Sequence, residues 1–136
     1  MGRESLKIKM ENWMMAAARS QGSLGELQLV HADGSDAVKD ERLVFDALIK
    51  ERQLEGPQGY AVEVTVELYS TNRDAEQVDS IFDAVEDALI APKALGAAQE
   101  LFTTLEFFPE NMTSADDRAQ NTRTRSRVYP FVVVEK

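Results

Sequence analysis

The chain contains no cysteine and only one histidine, His31. Disulfides, thiolate metal sites and cysteine or serine–histidine nucleophile systems therefore lack the residues that they need. No apolar run approaches the roughly 20 residues that cross a bilayer. Residues 1–13 carry acids where the apolar part of a signal peptide would stand. We therefore expect a soluble, intracellular protein.

What the chain does contain is a globular composition with an excess of acid. Its 136 residues are 43% hydrophobic and 29% charged, a balance far from that of disordered chains and a length typical of one domain. The 15 basic and 24 acidic residues give a formal net charge of −9 at pH 7. Neither half of the chain is basic, as a nucleic-acid module would be. We expect a single domain over residues 1–136 without nucleic-acid specificity.

Charge is unevenly placed in the second half of the chain. Residues 74–117 hold 11 acids and a single base, Lys93, whereas the next four charged residues are all arginines. An acidic block followed by a basic one suggests that the two pair, either within the subunit or between copies of it. Two solvated faces without a partner are the simpler explanation, because exposed ion pairs contribute little. The candidates for a contact between subunits are Arg123, Arg125, Arg127, Asp79, Asp83, Glu86 and Asp87.

Apolar spacing predicts two main helices. The first covers residues 4–19, where apolar residues recur at intervals of three and four without Pro or Gly. The second covers about 74–90, with Asp74 or Asn72 as its cap and acids in its first turns. Its apolar stripe consists of Val78, Ile81, Phe82, Val85 and Leu89. Ala91-Pro92 then ends this helix, and residues 94–98 indicate a short helical turn or a loop.

Five segments are interpreted as strands: residues 25–31, 42–50, 60–69, 101–108 and 123–134. The clearest is 60–69, in which apolar and polar residues alternate, so that one face is expected to be buried and the other wet and acidic. The segment 42–50 fits a helix nearly as well, and we interpret it as a strand because a Gly/Pro turn and the clearest strand follow it. Pro130 cannot donate to a ladder and is therefore expected at an edge or a bulge.

The order of these elements predicts the fold class. Helix, strands, helix and strands in succession favour an α+β two-layer sandwich, with two main helices packed on a mostly antiparallel sheet. Residues 109–122 are nearly all polar and lack periodicity. A stretch of this kind between two well-patterned strands is typical of a mobile functional loop. We expect this loop to be mobile in the isolated subunit and to become ordered against a neighbouring ring or tube.

No group of residues in the sequence indicates catalysis. His31 with Asp33 and Asp36 offers one imidazole and two carboxylates, fewer ligands than metal sites normally gather. A solvated helix face explains acid pairs such as Asp79 and Asp83. The turn at 56–59 does not match the phosphate-binding glycine motifs. We therefore expect no catalytic residue, no metal and no cofactor, and a protein that is not an enzyme.

The sequence from Tyr60 to Lys136 resembles the small tail terminator, or tail completion, proteins of long-tailed bacteriophages and prophages. The carrying segments are YAVEVTVELYSTNRDAEQVDSIFDAVEDALI, the aromatic strand LFTTLEFF, an open polar loop, and the closing strand RTRSRVYPFVVVEK. The N-terminal helix and RLVFDALIK can also be aligned with that pattern. The family is recognised by the order of its elements and their hydrophobic pattern, and it has no catalytic signature.

The resemblance implies a virion structural protein. Its α+β subunit would close into a homo-oligomeric ring, hexameric in the family, at the head-proximal end of the tail. Its partners would be further copies of itself, the tail tube and head–tail connector proteins, with assembly in the bacterial cytoplasm and no membrane. The alternative that the residues leave open is a small regulatory or adaptor α+β domain that binds a protein or ligand partner.

Overall fold

The computed structural model describes residues 3–25, 27–32, 41–52, 59–71, 73–107, 109–117 and 122–135. Three helices lie within this part of the chain: α1 (Arg3–Arg19), α2 (Ala75–Ile90) and α3 (Pro92–Leu101). A 3₁₀ turn covers Gly22–Leu24. The strands are β1 (Gln28–His31), β2 (Arg42–Arg52), β3 (Gly59–Ser70), β4 (Phe102–Phe107), β5 (Thr113–Asp117) and β6 (Thr122–Glu135).

The strands form one sheet in the order β1-β2-β3-β6-β4, and β5 also pairs with β6. Only the β1–β2 pair is parallel among the strands described, and every other pair is antiparallel. This arrangement confirms the predicted α+β sandwich with a mostly antiparallel sheet. No helix in the described ranges is both long and apolar enough to span a membrane.

The core lies between one face of the sheet and the helices. Along β3, Val62, Val64, Val66 and Leu68 are at most 1% exposed, whereas the residues between them are half-buried. This alternation is what the sequence predicts for 60–69, and the predicted apolar stripe of α2 is likewise buried. Trp13 ties α1 to α3, because its indole Nε1 donates to the carbonyl of Ala94 at 2.8 Å.

Local polar contacts fix where α2 begins and ends. Asp74 is the N-cap: its carboxylate accepts from the backbone N–H of Gln77, and the Gln77 side chain accepts from the N–H of Asp74. This capping box satisfies two backbone donors that the helix leaves without partners. Ala91 is the C-cap, and Pro92 starts α3, where its missing N–H has no cost. The predicted short turn at 94–98 is thus part of a ten-residue helix.

The structure corrects the prediction for residues 109–122. We predicted no regular structure there, but Thr113–Asp117 forms β5 and pairs with β6 from Thr122 to Ser126. Periodicity failed as a signal because all five side chains of β5 are exposed, so no apolar alternation marks the strand. The mobility of this segment stays a prediction.

Pro130 lies in β6, which is inside the sheet and not at its edge. It is tolerated because the strands that pair with β6 on one side leave a gap between them. β4 ends with Phe107 opposite Phe131, and β5 begins with Thr113 opposite Ser126. The Val128 carbonyl faces this interruption, where it accepts from the N–H of Glu110 at 2.9 Å. Alternate residues of a strand point the same way, so the nitrogen of Pro130 faces the same gap and no ladder bond is lost.

The predicted segment 42–50 is a strand, as expected, and extends to Arg52. Its inward-facing Leu43, Phe45 and Ala47 are buried. Asp33, Asp36 and Asn72 lie outside the described residues. So does the predicted turn at 56–59, apart from Gly59, which is the first residue of β3.

Two neighbouring residues at the end of α2 provide a test of this packing. Leu89 is fully buried, whereas Ile90 is 57% exposed. Leu89→Ala should lower the free energy of unfolding by about 2–5 kcal/mol, since it leaves a cavity in the core. Ile90→Ala should change it by less than about 1 kcal/mol. Urea denaturation of both variants measures the difference, and equal effects would contradict this packing of α2.

Candidate interaction surface

The inner face of β6 changes character along its length. Tyr129, Phe131 and Val133 belong to the core, but Arg125, on the same face, is also only 4% exposed. Its Nε donates to Asp79 Oδ1 at 2.7 Å, and its Nη1 donates to Asp116 Oδ1 at 2.6 Å. One guanidinium on β6 therefore joins α2 to β5.

The two neighbouring arginines on this face extend the same pattern. Arg127 donates from Nη1 to Glu86 Oε2 at 2.8 Å and from Nε to the carbonyl of Glu110 at 2.6 Å. Arg123 donates from Nη1 to Asp116 Oδ2 at 3.2 Å. The acidic block and the basic block thus pair within the subunit, which is one of the two arrangements that the sequence left open. Pairing between copies stays a prediction.

The predicted interface residues differ in what they leave exposed. The side chain of Arg125 is 5% exposed, whereas those of Arg123 and Arg127 are 28% and 23% exposed. Asp83 and Asp87 lie on the solvent side of α2, and neither forms an ion pair in the described part of the chain. α2 therefore presents two carboxylates without an ion-pair partner among the described residues, and β6 presents two partly exposed guanidinium groups.

The pKa values of the acids in this region shift in opposite directions, because the arginines lower them and burial raises them. The hydrogen bond from Arg125 holds the pKa of Asp116 below its usual range. Burial raises the pKa of Glu86, and the charge of Arg127 opposes that rise. Burial also raises the pKa of Tyr129 well above its usual range, with the Glu86 carboxylate adding to the effect. The Tyr129 hydroxyl is buried and has no hydrogen-bond partner among the described residues.

A second charged cluster, which the sequence did not indicate, lies at the other end of the strand order, against β1 and β2. Glu11 on α1 is only 1% exposed. Its carboxylate accepts from Lys7 Nζ at 2.6 Å, from the N–H of Ala47 at 2.8 Å and from His31 Nδ1 at 2.6 Å. Burial alone lowers the pKa of Lys7, but the hydrogen bonds and charges of Glu11 and Asp46 outweigh it and raise that pKa above its usual range.

This cluster supplies hydrogen-bond partners to backbone groups of β2 beyond the end of β1. The ladder between β1 and β2 ends with His31 opposite Phe45. Two residues further along β2, Ala47 gives its N–H to Glu11 and receives a hydrogen bond on its carbonyl from Lys7 Nζ at 2.9 Å. Side chains of α1 thus satisfy the backbone groups that a longer β1 would have paired. His31 holds the end of β1 to the same carboxylate, so its interactions are explained by the fold.

The described residues include no group of three or more acids, histidines or cysteines arranged to hold a metal ion.

An apolar groove of small residues lies between α1 and α3, where it is lined by Trp13, Ala16, Ala17, Ser20, Lys93, Ala94 and Ala97. Lys93 is the only titratable group in this lining. The exposed charged residues of α2 and β6 can bind a surface of complementary charge.

Comparison with known proteins rests on fold. No protein-family model and no curated protein matches the chain. Among solved structures, a similar chain comes from one described as the virion of a native gene transfer agent particle. The TM-score is 0.63 at 10% sequence identity, and the match covers 93% of this chain and 94% of that chain. The two chains therefore share a fold over nearly their whole lengths.

Arg125 should be important for stability. Arg125→Gln removes both charge-assisted hydrogen bonds, and we expect a loss of about 1.5–3 kcal/mol in the free energy of unfolding. Arg19→Gln is the matched control, because Arg19 is exposed in the last turn of α1 and should cost less than about 1 kcal/mol. Chemical denaturation of both variants decides the point. A loss no larger than that of the control would show that the ion pairs do not hold α2 and β5 in place.

Asp116 should contribute to stability only above the pH at which it is protonated. Because its pKa is lowered in the folded state from the usual 3.8, the folded chain binds fewer protons there than the unfolded chain. The stabilisation is full above about pH 4 and is lost as the pH falls through the folded value. Asp116→Asn should therefore lower stability at pH 7 and converge with the unmodified protein in acid. Denaturation from pH 7 to pH 2 tests this, and a constant difference across that range would contradict it.

Proposed function

We propose that this chain is a virion structural protein of the tail terminator kind, which forms a homo-oligomeric ring at the head-proximal end of a phage tail. The observation that carries the proposal is the fold match to a chain of a virion particle, which runs through 93% of this chain. Coverage of 94% of the other chain supports it, because a match to a shared small motif would leave most of one chain unaligned. The tail tube and connector proteins would be its further partners.

The segments that carry the sequence resemblance are the ones that build the centre of the fold. The first spans β3 and α2, the aromatic segment contains β4, and the closing segment is β6. β3 and β6 pair along nearly their full lengths. Agreement between the family pattern and the central pair of strands supports the assignment to a tail protein within the broader class of virion proteins.

The charges on α2 and β6 provide a contact between copies. Arginine has five N–H donors, so Arg123 and Arg127 can each bind a second carboxylate without giving up the first. Asp83 and Asp87 can supply that carboxylate from a neighbouring copy, because using them breaks no internal ion pair. Arg125 is too deeply buried to take part and acts within the subunit.

The same geometry supports a structural role over an enzymatic one. Nucleophilic and acid–base catalysis need a reactive group held beside a partner and open to substrate. Here the arginines and the Glu11 cluster use their polar groups to join elements of the fold. Binding through an extended charged surface is the activity that this arrangement serves.

The test is the mass of the protein in solution. Native mass spectrometry and light scattering should find a discrete oligomer, six times the mass of one chain if the ring has the family's size, and electron microscopy should show a closed ring. A monomer or dimer at all concentrations would overturn the ring and favour the adaptor alternative.

Neutralising the free acids should weaken the ring and leave the subunit folded. The double variant Asp83→Asn/Asp87→Asn should form a weaker oligomer. It should dissociate at a lower salt concentration than the unmodified protein, because exposed charge pairs are screened by salt, and on dilution it should dissociate at a higher protein concentration. The matched control is Glu76→Gln/Glu100→Gln, which removes the same charge from two other exposed acids. Identical assembly of both variants would contradict the proposed contact, and circular dichroism checks that each variant is folded.

A further inference from the structure

The groove between α1 and α3 contains a space that the subunit leaves unfilled. Its volume is about 80 Å³, several times the roughly 10–15 Å³ that admits one water molecule. The hydroxyl of Ser20 already donates to the carbonyl of Ala17 at 2.6 Å, and the indole of Trp13 donates to that of Ala94. The groove can therefore take the end of an aliphatic side chain, and its lining offers no hydroxyl or indole donor that still needs a partner.

This groove lies beside the two bases that the fold leaves unused. Lys93 is in the lining, and Arg19 is exposed on the same face of α1 as the lining residues Ala16 and Ser20. Neither base forms an ion pair or a hydrogen bond in the part of the chain that the structure describes, whereas every other base with a described side chain has an interaction. An apolar groove with unpaired cations favours an apolar group that has negative charge next to it.

α2 presents a surface of that kind. Ile90 is 57% exposed, and Asp83 and Asp87 precede it by seven and three residues, which places the three side chains on one face of the helix. Both acids are exposed and lack an ion-pair partner among the described residues. The equally exposed Leu48 of β2 differs, because Asp46 on the same face of that strand is already paired with Lys7.

We propose that Ile90 of one copy of this chain fills the α1–α3 groove of a second copy, with Asp87 of the first copy paired to Lys93 of the second. The inference rests on the proposed association of copies and supplies the apolar part of that contact. Asp83 stays available for the arginines of β6. Burial of the aliphatic side chain provides affinity, and the charge pair fixes the orientation of the two copies.

Two observations commit the groove to a second copy. The subunit's own Ile90 is exposed and is not among the residues that line the groove, so an occupant comes from another molecule. The two surfaces are also complementary, since one is a recess with unpaired bases and the other is a projecting side chain with unpaired acids. A single contact between copies uses both. It joins two different surfaces of the chain, as neighbouring subunits of a ring do.

The first experiment compares two exposed aliphatic side chains. Ile90→Ala should raise the protein concentration at which copies dissociate at least about tenfold, because it removes the group that fills the groove. The matched control is Leu48→Ala, since Leu48 is 58% exposed and lies on β2, outside the groove. It should change that concentration less than about twofold. Analytical ultracentrifugation measures dissociation, and urea denaturation checks that each variant is folded.

The charge pair is tested in the same way. Lys93→Glu places a carboxylate opposite Asp87 of the neighbouring copy, and like charges that face each other oppose association. We expect this variant to dissociate at a concentration at least about tenfold higher than the unmodified protein. Lys93 is exposed, so the subunit should stay folded.

The second experiment mixes two variants that are defective in opposite halves of the contact. Ala97 is exposed and lines the groove, so Ala97→Leu fills the groove and keeps Ile90. Ile90→Ala keeps an open groove. In the mixture, Ile90 of the first variant meets the open groove of the second. Native mass spectrometry with one variant isotope-labelled should find a mixed pair at concentrations where neither variant associates alone.

Four results would overturn the proposal. They are unchanged association of Ile90→Ala, an equal effect of Leu48→Ala, unchanged association of Lys93→Glu, and the absence of a mixed pair. A ring that assembles without regard to Ile90 would leave the proposed function standing and remove this inference. A dimer that depends on Ile90 would do the reverse, so the two failures are distinguishable.

Discussion

Burying the guanidinium of Arg125 requires negative charge beside it, since an unpaired buried charge is too costly for a folded domain. Two carboxylates from different elements supply that charge. Asp79 comes from α2 and Asp116 from β5, so the requirement of one residue determines how a helix and a strand are placed on β6. The half of β6 that contains Phe131 is held by apolar packing, and the other half is held by charge.

At the β1–β2 end of the sheet a second buried charge fixes a helix, and this charge is negative. There the buried group is the carboxylate of Glu11, and its partners come from α1, β1 and β2. Apolar contacts place α1 over the sheet in general, but they allow it to slide and rotate. A buried carboxylate with three specific donors allows one position, which is the sense in which polar contacts give specificity to a core.

Much of the fold could be predicted from the sequence because it rests on local periodicity. The alternation in Tyr60–Tyr69 and the stripe from Val78 to Leu89 follow directly from the geometry of strands and helices. β5 escaped prediction because it is exposed on both faces, and its place depends on Asp116 meeting arginines on another strand. Glu11 escaped for a related reason. With Lys7 it forms an i,i+4 pair that is usual on a helix surface, and only the contact with Ala47, far along the chain, shows that it is buried.

The closure of the β2 edge by Lys7 and Glu11 also limits how copies of this chain can meet. A strand with unsatisfied backbone groups invites another chain to add to it, and repeated addition of this kind produces fibres. At Ala47 those groups are already bonded to α1, so a neighbour gains nothing by pairing there. Strand addition by another chain at this point of the sheet is thereby disfavoured, although β2 has a neighbour on only one side there.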